Sequence, residues 1–580
     1  MKNIQLLVPF LCIAIAANSQ INTIPDLDGK YQTSPFVNVL NQPFVESSQS
    51  GYTLFPNFPV NFPFDAFDPK GGVVTANLDL DTDLEIIVGS TNHLYGVNKD
   101  GSIVAGWNKS YLTGLDVIHP AAIGDIDGDG KDDIVVVAGG QTSGNVYAYN
   151  SNGSLKSGFP FTSIGVVPMM PVLADIDKDG DDEIIVLKRL SGSAGGEVYV
   201  LKGDGSVFPG WPYSMGSGEF PGSSVAVGDI NNNGSIEIVG ESRNKVWVWN
   251  TDGTVLMGFP FDLDANDIII NSYSAPVLVD IDNDRQHEIV FCAHNPGGIM
   301  YVLKNDGTLY PGWPKTTPQW IYASPIAVDI DNDDTMELFV QEQFASVNPA
   351  CYIYGFDKDG NDLSGFPFGP IYGGANQLTV ADLDNNGDWE LTSEDNIQNP
   401  DGSGQYIAIN HDGTIFSDFP MVTKGNSFFK QMVLEDLDSD GMLDLIGAGA
   451  DLNSNIFYLQ AWSTSIAYTP SKIINPYIQL NKKHDGYYPL KTVTAIDERD
   501  NQKVTTFAYP NPFKNSFTLY STTKIIEVTI ENLQGRKVYA QKQNATKLQI
   551  FLPNEQAGIY IATVKHEDGS MEKIKLNSQH

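Results

Sequence analysis

The chain alternates short runs of β-branched and aromatic residues with polar turns that are rich in glycine. Alternation with a period of two is clearest at 146–150 (VYAYN), 198–202 (VYVLK) and 246–250 (VWVWN), and no long run of helix-forming residues interrupts it. This period places successive side chains on opposite faces of a sheet, so the pattern predicts many short strands. The sequence therefore predicts an all-β fold.

The strands belong to a repeat. An acidic segment of eleven residues followed by a β-branched run occurs eight times, at spacings of 48 to 54 residues. Each copy continues into an alternating strand and an Asp-Gly or Asn-Gly hairpin turn, and five copies end in Gly-aromatic-Pro. Four short strands per repeat predict the blades of a β-propeller. We number the acidic segments loop 1 to loop 8, and they begin at Asn77, Asp125, Asp175, Asp229, Asp280, Asp329, Asp382 and Asp436.

The ends of the array predict a closed ring. The last copy loses its hairpin turn after 457–459, whereas 51–56 (GYTLFP) resembles the turn and fourth strand at 307–311 (GTLYP). An N-terminal strand would complete the last sheet and cover two sheet edges. We expect an eight-bladed β-propeller at 51–465, with a seven-bladed ring containing one irregular unit as the alternative.

Each acidic loop has the features of a metal site. Positions 1, 3, 5 and 9 carry side-chain oxygens, which would oppose one another's ionisation unless a cation lay between them. An oxygen-only, carboxylate-rich set favours Ca²⁺ over Zn²⁺ or Cu²⁺, so up to eight calcium ions are expected. The alternative is that the loops are solvated turns without metal. The predicted ligands, loop by loop, are Asn77, Asp79, Asp81 and Glu85; Asp125, Asp127, Asp129 and Asp133; Asp175, Asp177, Asp179 and Glu183; Asp229, Asn231, Asn233 and Glu237; Asp280, Asp282, Asp284 and Glu288; Asp329, Asp331, Asp333 and Glu337; Asp382, Asp384, Asn386 and Glu390; and Asp436, Asp438, Asp440 and Asp444.

The eight loops are not equal. Loops 2, 3, 5, 6 and 8 have all four carboxylates, and loops 1 and 7 have three because of Asn77 and Asn386. Loop 4 has two, because Asn231 and Asn233 replace the others, and it should bind calcium most weakly. Loops 5 and 6 lack the glycine found at position 6 of most copies, which leaves their turn geometry open.

The repeat is similar to a known family. The loop and the preceding Ala/Ser-Pro strand, as in SAPVLVDID at 274–282, resemble the FG-GAP or VCBS repeat of integrin-α-like propellers. The resemblance covers 51–465 and implies a calcium-bearing β-propeller with the loop residues as ligands. It does not imply one activity, because such repeats occur in adhesins, lectins and polysaccharide-acting enzymes.

A different pattern follows the repeats. Residues 466–506 mix Lys, Asn, Thr and Pro and are interpreted as a linker, and 507–580 contains short alternating strands that predict a small β-sandwich. The motifs YPNP (509–512), NLQGRKVY (532–539) and AGIYIATV (557–564) resemble the C-terminal sorting domain of the type IX secretion system. That resemblance implies handling by the secretion machinery, export across an outer membrane, and release or surface attachment. The alternative is a terminal β-domain with a binding role.

Charge and the N-terminus agree with export. The chain has 71 acidic and 34 basic residues, and its formal charge of −37 repels nucleic acid and anionic lipid, which argues against both as partners. The first residues predict a signal peptide at 1–19, because Lys2 precedes an apolar stretch at 4–17 and small residues follow it. Residues 20–50 are then an N-terminal extension. No other apolar stretch is long enough to span a membrane. We therefore expect a secreted or outer-surface protein, in which Cys292 and Cys351 are free, buried thiols rather than a disulfide.

Candidate chemistry outside the loops is sparse. The sequence has no GxSxG, HExxH or phosphate-binding glycine loop, and no catalytic residues are predicted. The sequence favours a non-catalytic binding or adhesion module for a glycan or a surface protein. The alternative is a polysaccharide lyase or hydrolase whose groups converge from several blades. Residues that precede the innermost strands should gather at one mouth of the ring, where they bind a ligand or pack between blades: His119, Phe220, Tyr273, Trp320, Tyr322, Tyr372, Phe428 and Lys430.

Overall fold

The computed structural model divides the chain into two compact units, Met1–Leu490 and Lys491–His580. The predicted signal peptide and N-terminal extension lie outside the described residues, as do Tyr273, Phe428 and Lys430. The described residues are 51–63, 72–79, 81–111, 114–117, 119–140, 143–162, 169–190, 195–263, 269–272, 274–295, 297–343, 351–374, 377–395, 402–427, 431–451, 454–490, 506–509, 513–532, 536–552, 558–567 and 571–578.

Short antiparallel strands dominate the first unit, together with one 3-10 helix, Pro470–Lys472. The strands described there are β1 (Tyr52–Leu54), β2 (Val60–Pro63), β3 (Val74–Ala76), β4 (Glu85–Ser90), β5 (His93–Val97), β6 (Ile103–Ser110), β7 (Ala122–Gly124), β8 (Asp133–Gly139), β9 (Gly144–Asn150), β10 (Phe161–Thr162), β11 (Val172–Ala174), β12 (Glu183–Arg189), β13 (Gly196–Leu201), β14 (Tyr213–Gly216), β15 (Ala226–Gly228), β16 (Glu237–Ser242), β17 (Lys245–Asn250), β18 (Phe261–Asp262), β19 (Ile270–Asn271), β20 (Val277–Val279), β21 (Glu288–His294), β22 (Gly298–Leu303), β23 (Lys315–Thr317), β24 (Ile326–Val328), β25 (Glu337–Gln341), β26 (Cys351–Phe356), β27 (Phe368–Ile371), β28 (Thr379–Ala381), β29 (Glu390–Asp395), β30 (Gly404–Asn410), β31 (Met421–Thr423), β32 (Val433–Glu435), β33 (Met442–Asp451) and β34 (Ile456–Ala467).

Among the described residues these strands form eight sheets, which we number blade 1 to blade 8 by the acidic loop that each contains. In blade 2, for example, the order is β10-β9-β8-β7, and loop 2 joins the innermost strand β7 to β8. The innermost strands of the other blades are β3, β11, β15, β20, β24, β28 and β32. The all-β propeller class is confirmed. That the blades form one ring of eight stays a prediction, which these sheets support.

The N-terminal strands complete the last blade, as the sequence predicts. Both β1 and β2 pair with β34, with Tyr52 opposite Thr464 and Val60 opposite Leu459. Blades 1 and 8 also share one apolar core, to which β3, β4, β32 and β34 all contribute. Pairing and packing thus join the two ends of the array.

Close contact between blades explains the Gly-aromatic-Pro signature. A Cβ atom on Gly158 would lie 1.8 Å from the carbonyl oxygen of Asp204, in the hairpin turn of the next blade. The same conflict, at 2.1–2.2 Å, arises at the other four signature glycines. The aromatic residue makes the next contact, since the Trp211 indole N–H donates to the Thr251 carbonyl at 2.9 Å. The signature therefore fixes how successive blades touch.

A segment that follows the last blade binds all eight blades. Residues 469–488, which we call the central segment, are buried or half-buried except at 470 and 471, and they make at least one hydrogen bond to each blade's innermost strand. The bonds join Tyr477 Oη to Thr75 Oγ1 in blade 1 (2.5 Å), Ile123 N to Lys482 O in blade 2 (2.8 Å), Leu173 N to Lys483 O in blade 3 (2.9 Å), Val227 N to Asp485 O in blade 4 (2.8 Å), Leu278 N to Gly486 O in blade 5 (2.8 Å), Ala327 N to Tyr488 Oη in blade 6 (2.8 Å), Ile474 N to Val380 O in blade 7 (3.0 Å), and Tyr477 Oη to Glu435 Oε2 in blade 8 (2.5 Å).

The central segment differs from the linker expected at 466–506. Its composition suggests an exposed linker, but its backbone groups make five of these eight hydrogen bonds and tyrosine hydroxyls make the other three, which pairs groups on the inner strand edges. Gln479 and His484 are fully buried, and the two imidazole nitrogens of His484 lie 2.9 Å from the carbonyl oxygens of Ile478 and Ala121. The first 25 residues of the expected linker therefore belong to the propeller unit, which ends at Leu490.

The second unit is one antiparallel sheet. Its strands are β35 (Thr506–Tyr509), β36 (Ser516–Asn532), β37 (Lys537–Phe551), β38 (Gly558–His566) and β39 (Met571–Ser578). The strands predicted for a small sandwich are joined through β36, which pairs with β35, β37 and β38. The alternating segments SFTLYS (516–521) and IIEVTIEN (525–532) form the one long strand β36, and KVYAQK (537–542) and KLQIFL (547–552) lie in or at the end of β37, with a register shift in the pairing of β36 with β37 between the segments. Phe517, Val528 and Ile550 lie in its buried core.

Two further sequence predictions concern the whole chain. Cys292 and Cys351 are buried and unbridged, as expected. None of the helices in the described residues is long and apolar enough to cross a membrane.

Candidate metal centres

The acidic loops share one local geometry. In every loop the side-chain oxygen at position 5 accepts the backbone N–H of position 7, at 2.6–3.0 Å. In loops 2 to 8 the Oδ2 atom at position 1 accepts the N–H of position 6, at 2.7–3.1 Å. These bonds are local in sequence, so the repeated motif dictates the same turn in blades 2 to 8, and loop 1, which has Asn77 at position 1, shares only the first bond.

The missing glycines do not change this turn. Position 6 has a left-handed backbone in loop 2, where Gly130 has a φ of 78°. Arg285 in loop 5 and Asp334 in loop 6 occupy the same position with φ values of 71° and 75°. A side chain at such a φ carries a conformational cost, which the hydrogen bond to position 1 offsets. Loops 5 and 6 thus keep the geometry of the others.

Position 9 is the buried end of each loop. Its carboxylate is only 1–3% exposed in all eight loops and accepts the N–H of position 2 at 2.6–3.2 Å. Burial, opposed by that hydrogen bond and reinforced by neighbouring carboxylates, raises the pKa of Glu288 to about 8. The same causes raise the pKa to about 7 at Glu85, Glu183, Glu337, Glu390 and Asp444, and burial does so at Glu237.

The loops bring carboxylates together in threes. Seven groups of at least three His, Cys or acidic side chains converge among the described residues, and in five of them, which lie in loops 1, 2, 3, 5 and 6, one oxygen from each of three carboxylates lies within 4.8 Å of the other two. Loops 2, 3 and 5 use positions 1, 3 and 9, and their position-5 side chain is not part of the group. These five groups are Asp79, Asp81 and Glu85; Asp125, Asp127 and Asp133; Asp175, Asp177 and Glu183; Asp280, Asp282 and Glu288; and Asp329, Asp331 and Asp333.

The residues present fit a hard cation. All converging atoms are carboxylate oxygens, the donors that Ca²⁺ prefers. In loops 7 and 8, the Oδ1 atoms of Asp382 and Asp438 are buried and have no hydrogen-bond partner among the described residues. A buried carboxylate oxygen without a partner is costly unless a cation or water contacts it. The oxygen set and these two atoms therefore fit calcium.

Neighbouring loops are also joined to each other. In four places the N–H of position 8 in one loop donates to a carbonyl at position 1 or 2 of the preceding loop, at 2.8–3.4 Å. The loops consequently lie side by side on one face of the propeller, which we call the loop face. The donor and acceptor residues are Leu84 and Leu437, Asp182 and Asp125, His287 and Ile230, and Met336 and Ile281.

Three loops contain groups that sequence reasoning missed. In loop 2 the Lys156 ammonium lies 2.7 Å from both Asp127 and Asp133. In loop 7 Lys472 of the central segment lies 2.5 Å from Asp382, and in loop 4 the Asn231 amide donates to Glu237 at 3.3 Å. A signal for Lys156 exists in the sequence, because the corresponding hairpin position in most other repeats is apolar or aromatic.

Aromatic side chains lie in the segments that lead into the innermost strands, at the ends opposite the acidic loops. Trp320 packs on the buried His294 ring at a centroid distance of 4.4 Å and lies 5.8 Å from Tyr322. These segments accept hydrogen-bond support from buried carboxylates, which bind their backbone N–H groups and which the sequence did not reveal. Glu342 accepts the N–H of Gln319 at 2.8 Å.

The same arrangement recurs in the next blade. Asp395 is buried and accepts the N–H of Tyr372 at 2.9 Å, while the Tyr372 side chain is 39% exposed. Phe220, by contrast, packs under the Arg189 guanidinium at 3.9 Å. His119 lies half-buried before β7. We call the side that carries these lead-in segments the aromatic face.

Sequence comparison identifies both parts of the chain. Residues 125–186, 175–240 and 280–340 match the profile of the FG-GAP-like repeat, and residues 507–576 match that of the secretion system C-terminal sorting domain. The protein therefore contains FG-GAP-like repeats and a type IX sorting domain, and both resemblances are confirmed. The sorting domain marks it as a secreted or cell-surface protein. No curated protein matches the sequence.

Several solved structures are similar in part. The V. cholerae biofilm matrix protein Bap1 is 13% identical with a TM-score of 0.46, covering 74% of this chain and 93% of its own. The Dos1 propeller is 11% identical with a TM-score of 0.43, covering 71% and 97%. PorZ, a type-IX secretion surface component of Porphyromonas gingivalis, is 12% identical with a TM-score of 0.30, covering 86% and 69%.

Proposed function

We propose that this exported propeller is a calcium-binding recognition or adhesion module that binds a carbohydrate without altering it. The observation that carries the calcium part is the repeated convergence of buried and exposed carboxylates in the loops. Calcium would be held by positions 1, 3 and 9 in loops 3 and 5, and by the corresponding groups in loops 1 and 6. Loops 7 and 8 offer the same residues, and loop 4 is the weakest because its amide already bonds position 9.

Calcium in these loops has a structural purpose. Each loop joins the innermost strand to the second strand, and its position-9 carboxylate is buried where an uncompensated charge is costly. A bound ion neutralises that charge and cross-links the two strands. Because adjacent loops are hydrogen-bonded to one another, ions on the loop face also stabilise the contacts between blades.

The central segment favours binding over catalysis. An enzyme built on this fold would need groups from several blades to converge near the axis. The inner strand edges of all eight blades instead contact residues 469–488, of which Tyr477, Gln479 and Tyr488 are buried. The central segment thus contacts the inner strands of every blade, where a substrate bound near the axis would have to lie.

The aromatic face offers the better surface for a ligand. Trp320, Tyr322 and Tyr372 lie on lead-in segments of blades 6 and 7, and buried carboxylates fix the backbone of two of these segments. Aromatic rings held on a rigid support can stack on the apolar faces of sugar rings. A glycan is therefore the proposed ligand class.

A panel of immobilised polysaccharides tests this function. The full-length secreted protein is applied with calcium and with chelator, and both retention and release of new sugar ends are measured. We expect retention of at least one polysaccharide without product formation, and a loss of about fivefold or more in affinity for Trp320→Ala. Phe551→Ala, which removes an aromatic ring that is 61% exposed in the other unit, is the matched control and should bind normally.

Two results would contradict the proposal. Product formation would favour the polysaccharide lyase or hydrolase. No retention of any polysaccharide, by protein shown to be folded and calcium-loaded, would reject the carbohydrate ligand.

A further inference from the structure

Loop 2 has all four carboxylates, as loops 3, 5, 6 and 8 do, yet it differs from them. We infer that loop 2 holds no calcium ion, because the ammonium group of Lys156 occupies the place of the ion. This inference rests on the proposed binding of calcium by the other loops. In loop 2 a lysine contacts two of the three converging carboxylates, whereas in loop 7 Lys472 contacts Asp382 alone.

The ammonium lies between the carboxylates at positions 3 and 9 of the loop. Lys156 Nζ is 2.7 Å from Asp127 Oδ2 at position 3 and 2.7 Å from Asp133 Oδ2 at position 9. Asn150 Oδ1 is a third neighbour, at 3.4 Å. An ammonium group has three N–H donors, so these three acceptors satisfy it completely. The Lys156 side chain is 6% exposed and that of Asp133 is 3% exposed, whereas Asp127 is 41% exposed, so the ammonium and its position-9 partner are the buried part of this arrangement.

The same geometry leaves no room for calcium. Two of the three carboxylates that converge in loop 2 are in direct contact with Lys156. Calcium requires oxygens at about 2.3–2.6 Å, which the ammonium would have to vacate. Moving it away would leave a buried positive charge without its partners, and that loss is strongly unfavourable.

Corresponding positions in other blades show why Lys156 reaches the loop. Its N–H bonds a carbonyl in the preceding strand at 2.9 Å, and its carbonyl accepts an N–H three residues later. The same pair of bonds occurs in six other blades, at apolar or aromatic residues. Of these, Tyr310 donates its hydroxyl to Asp282 Oδ2, at position 3 of loop 5, over 2.9 Å. The six residues are Phe55, Phe208, Leu256, Tyr310, Leu363 and Phe416.

A side chain at this position can therefore contact the carboxylates of its own loop, as Lys156 and Tyr310 do. With an uncharged residue at this position, the loop carboxylates are available to bind a metal ion. A lysine there neutralises their negative charge instead. The stability of blade 2 should then be independent of calcium, in contrast to that of the adjacent blade 3.

Counting bound ions tests the inference. Metal-stripped full-length protein is returned to calcium, and the bound ions are counted by native mass spectrometry. We expect Lys156→Met, which keeps the length of the side chain and removes its charge, to bind one more calcium than the wild type. Adding Asp133→Asn to that variant should remove the extra ion. Lys304→Met is the matched control, because Lys304 lies 5.4 Å from the Tyr310 ring and should not change the count.

A reciprocal variant covers the case in which Lys156→Met does not fold. Phe208→Lys places an ammonium over loop 3 and should bind one calcium fewer than the wild type. The inference is overturned if Asp133→Asn alone removes an ion from the wild type, or if neither lysine exchange changes the count. A wild type without any bound calcium, together with a Lys156→Met variant that binds one, would reject the proposed function and keep the inference.

Discussion

The propeller and the C-terminal unit are both antiparallel β structures, but their charge and closure differ. Residues after 500 carry a net charge of +4, which leaves −41 for the rest of the chain. The strands of the propeller form eight sheets. These sheets are held together by contacts with neighbouring sheets, between the acidic loops and with the central segment. The C-terminal unit is a single five-stranded sheet with its own apolar core.

This difference shows where each unit's stability comes from. Burial of apolar side chains within one sheet is sufficient for the C-terminal unit, and none of the eight loops lies in it. The propeller must also compensate buried carboxylates and pair the inner edges of its strands. Calcium, chain termini and pH should therefore affect the propeller and leave the C-terminal unit unchanged.

Two truncations should have the largest effects. A chain that ends after residue 468 lacks the central segment and loses a hydrogen bond to the innermost strand of every blade. We expect it to lose the cooperative unfolding transition, because several unpaired buried groups each cost about 1–3 kcal/mol. Circular dichroism during heating measures this.

The matched control ends after Leu490. It keeps the central segment and lacks the sorting domain, so it should melt like the propeller of the full chain but remain in the periplasm. Normal export of this shorter chain would contradict the export role of the sorting domain. Identical melting of both truncations would contradict the stabilising role of the central segment.

pH should have an intermediate effect on the calcium-free propeller. The position-9 carboxylates of seven loops have pKa values of about 7 to 8 in the folded protein, above the roughly 4 of an unfolded chain. The folded state thus binds more protons between these values, and stability falls as pH rises from about 4 to 8. The calcium-free propeller should melt about 5 °C or more lower at pH 8 than at pH 5.

Calcium should reverse this trend, because the ion binds the ionised carboxylates. The transition of the C-terminal unit, which contains none of these groups, serves as the internal control. A calcium-free propeller that becomes more stable from pH 5 to pH 8 would contradict the cost assigned to the buried carboxylates.

Single loops should give the smallest effects. Asp177→Ala removes one of three converging carboxylates from loop 3 and should cost one bound calcium and about 1–3 °C in melting temperature. Asn231→Ala alters the weakest loop and should change the ion count little. Calorimetric titration with calcium compares the two variants, and equal losses would reject the ranking of the loops.

The features that the sequence predicts here are local, and those it misses are not. The loop motif fixes hydrogen bonds between residues two to seven apart, so the turn and the buried position-9 carboxylate follow from the sequence. Lys156 and Asp133 are 23 residues apart, and Lys472 and Asp382 are 90 apart. The folded blade brings the first pair together and the central segment's contact with blade 7 brings the second, so counting carboxylates in loop 2 did not reveal its own counterion.

The central segment is a second case of this kind. Its Lys, Asn and Gln residues have the composition of a linker, and nothing local distinguishes it from one. In the folded unit this segment forms hydrogen bonds with the innermost strands of all eight blades, which its composition alone does not reveal. The Asn-Gly and Asp-Gly turns, in contrast, are placed correctly because Gly153 and its counterparts supply the positive φ that a tight hairpin requires.

The melting temperature of the full chain, stripped of metal and then titrated with calcium, tests the central claim most directly. At ten times the dissociation constant each site contributes about 1.4 kcal/mol, so several sites together should shift the propeller transition by more than about 10 °C. We expect chelation to lower that transition by this amount, millimolar calcium to restore it, and magnesium to do so poorly because it gives up its waters reluctantly. Identical melting curves with and without chelator, on protein shown to be metal-free, would contradict the claim that calcium holds the propeller together.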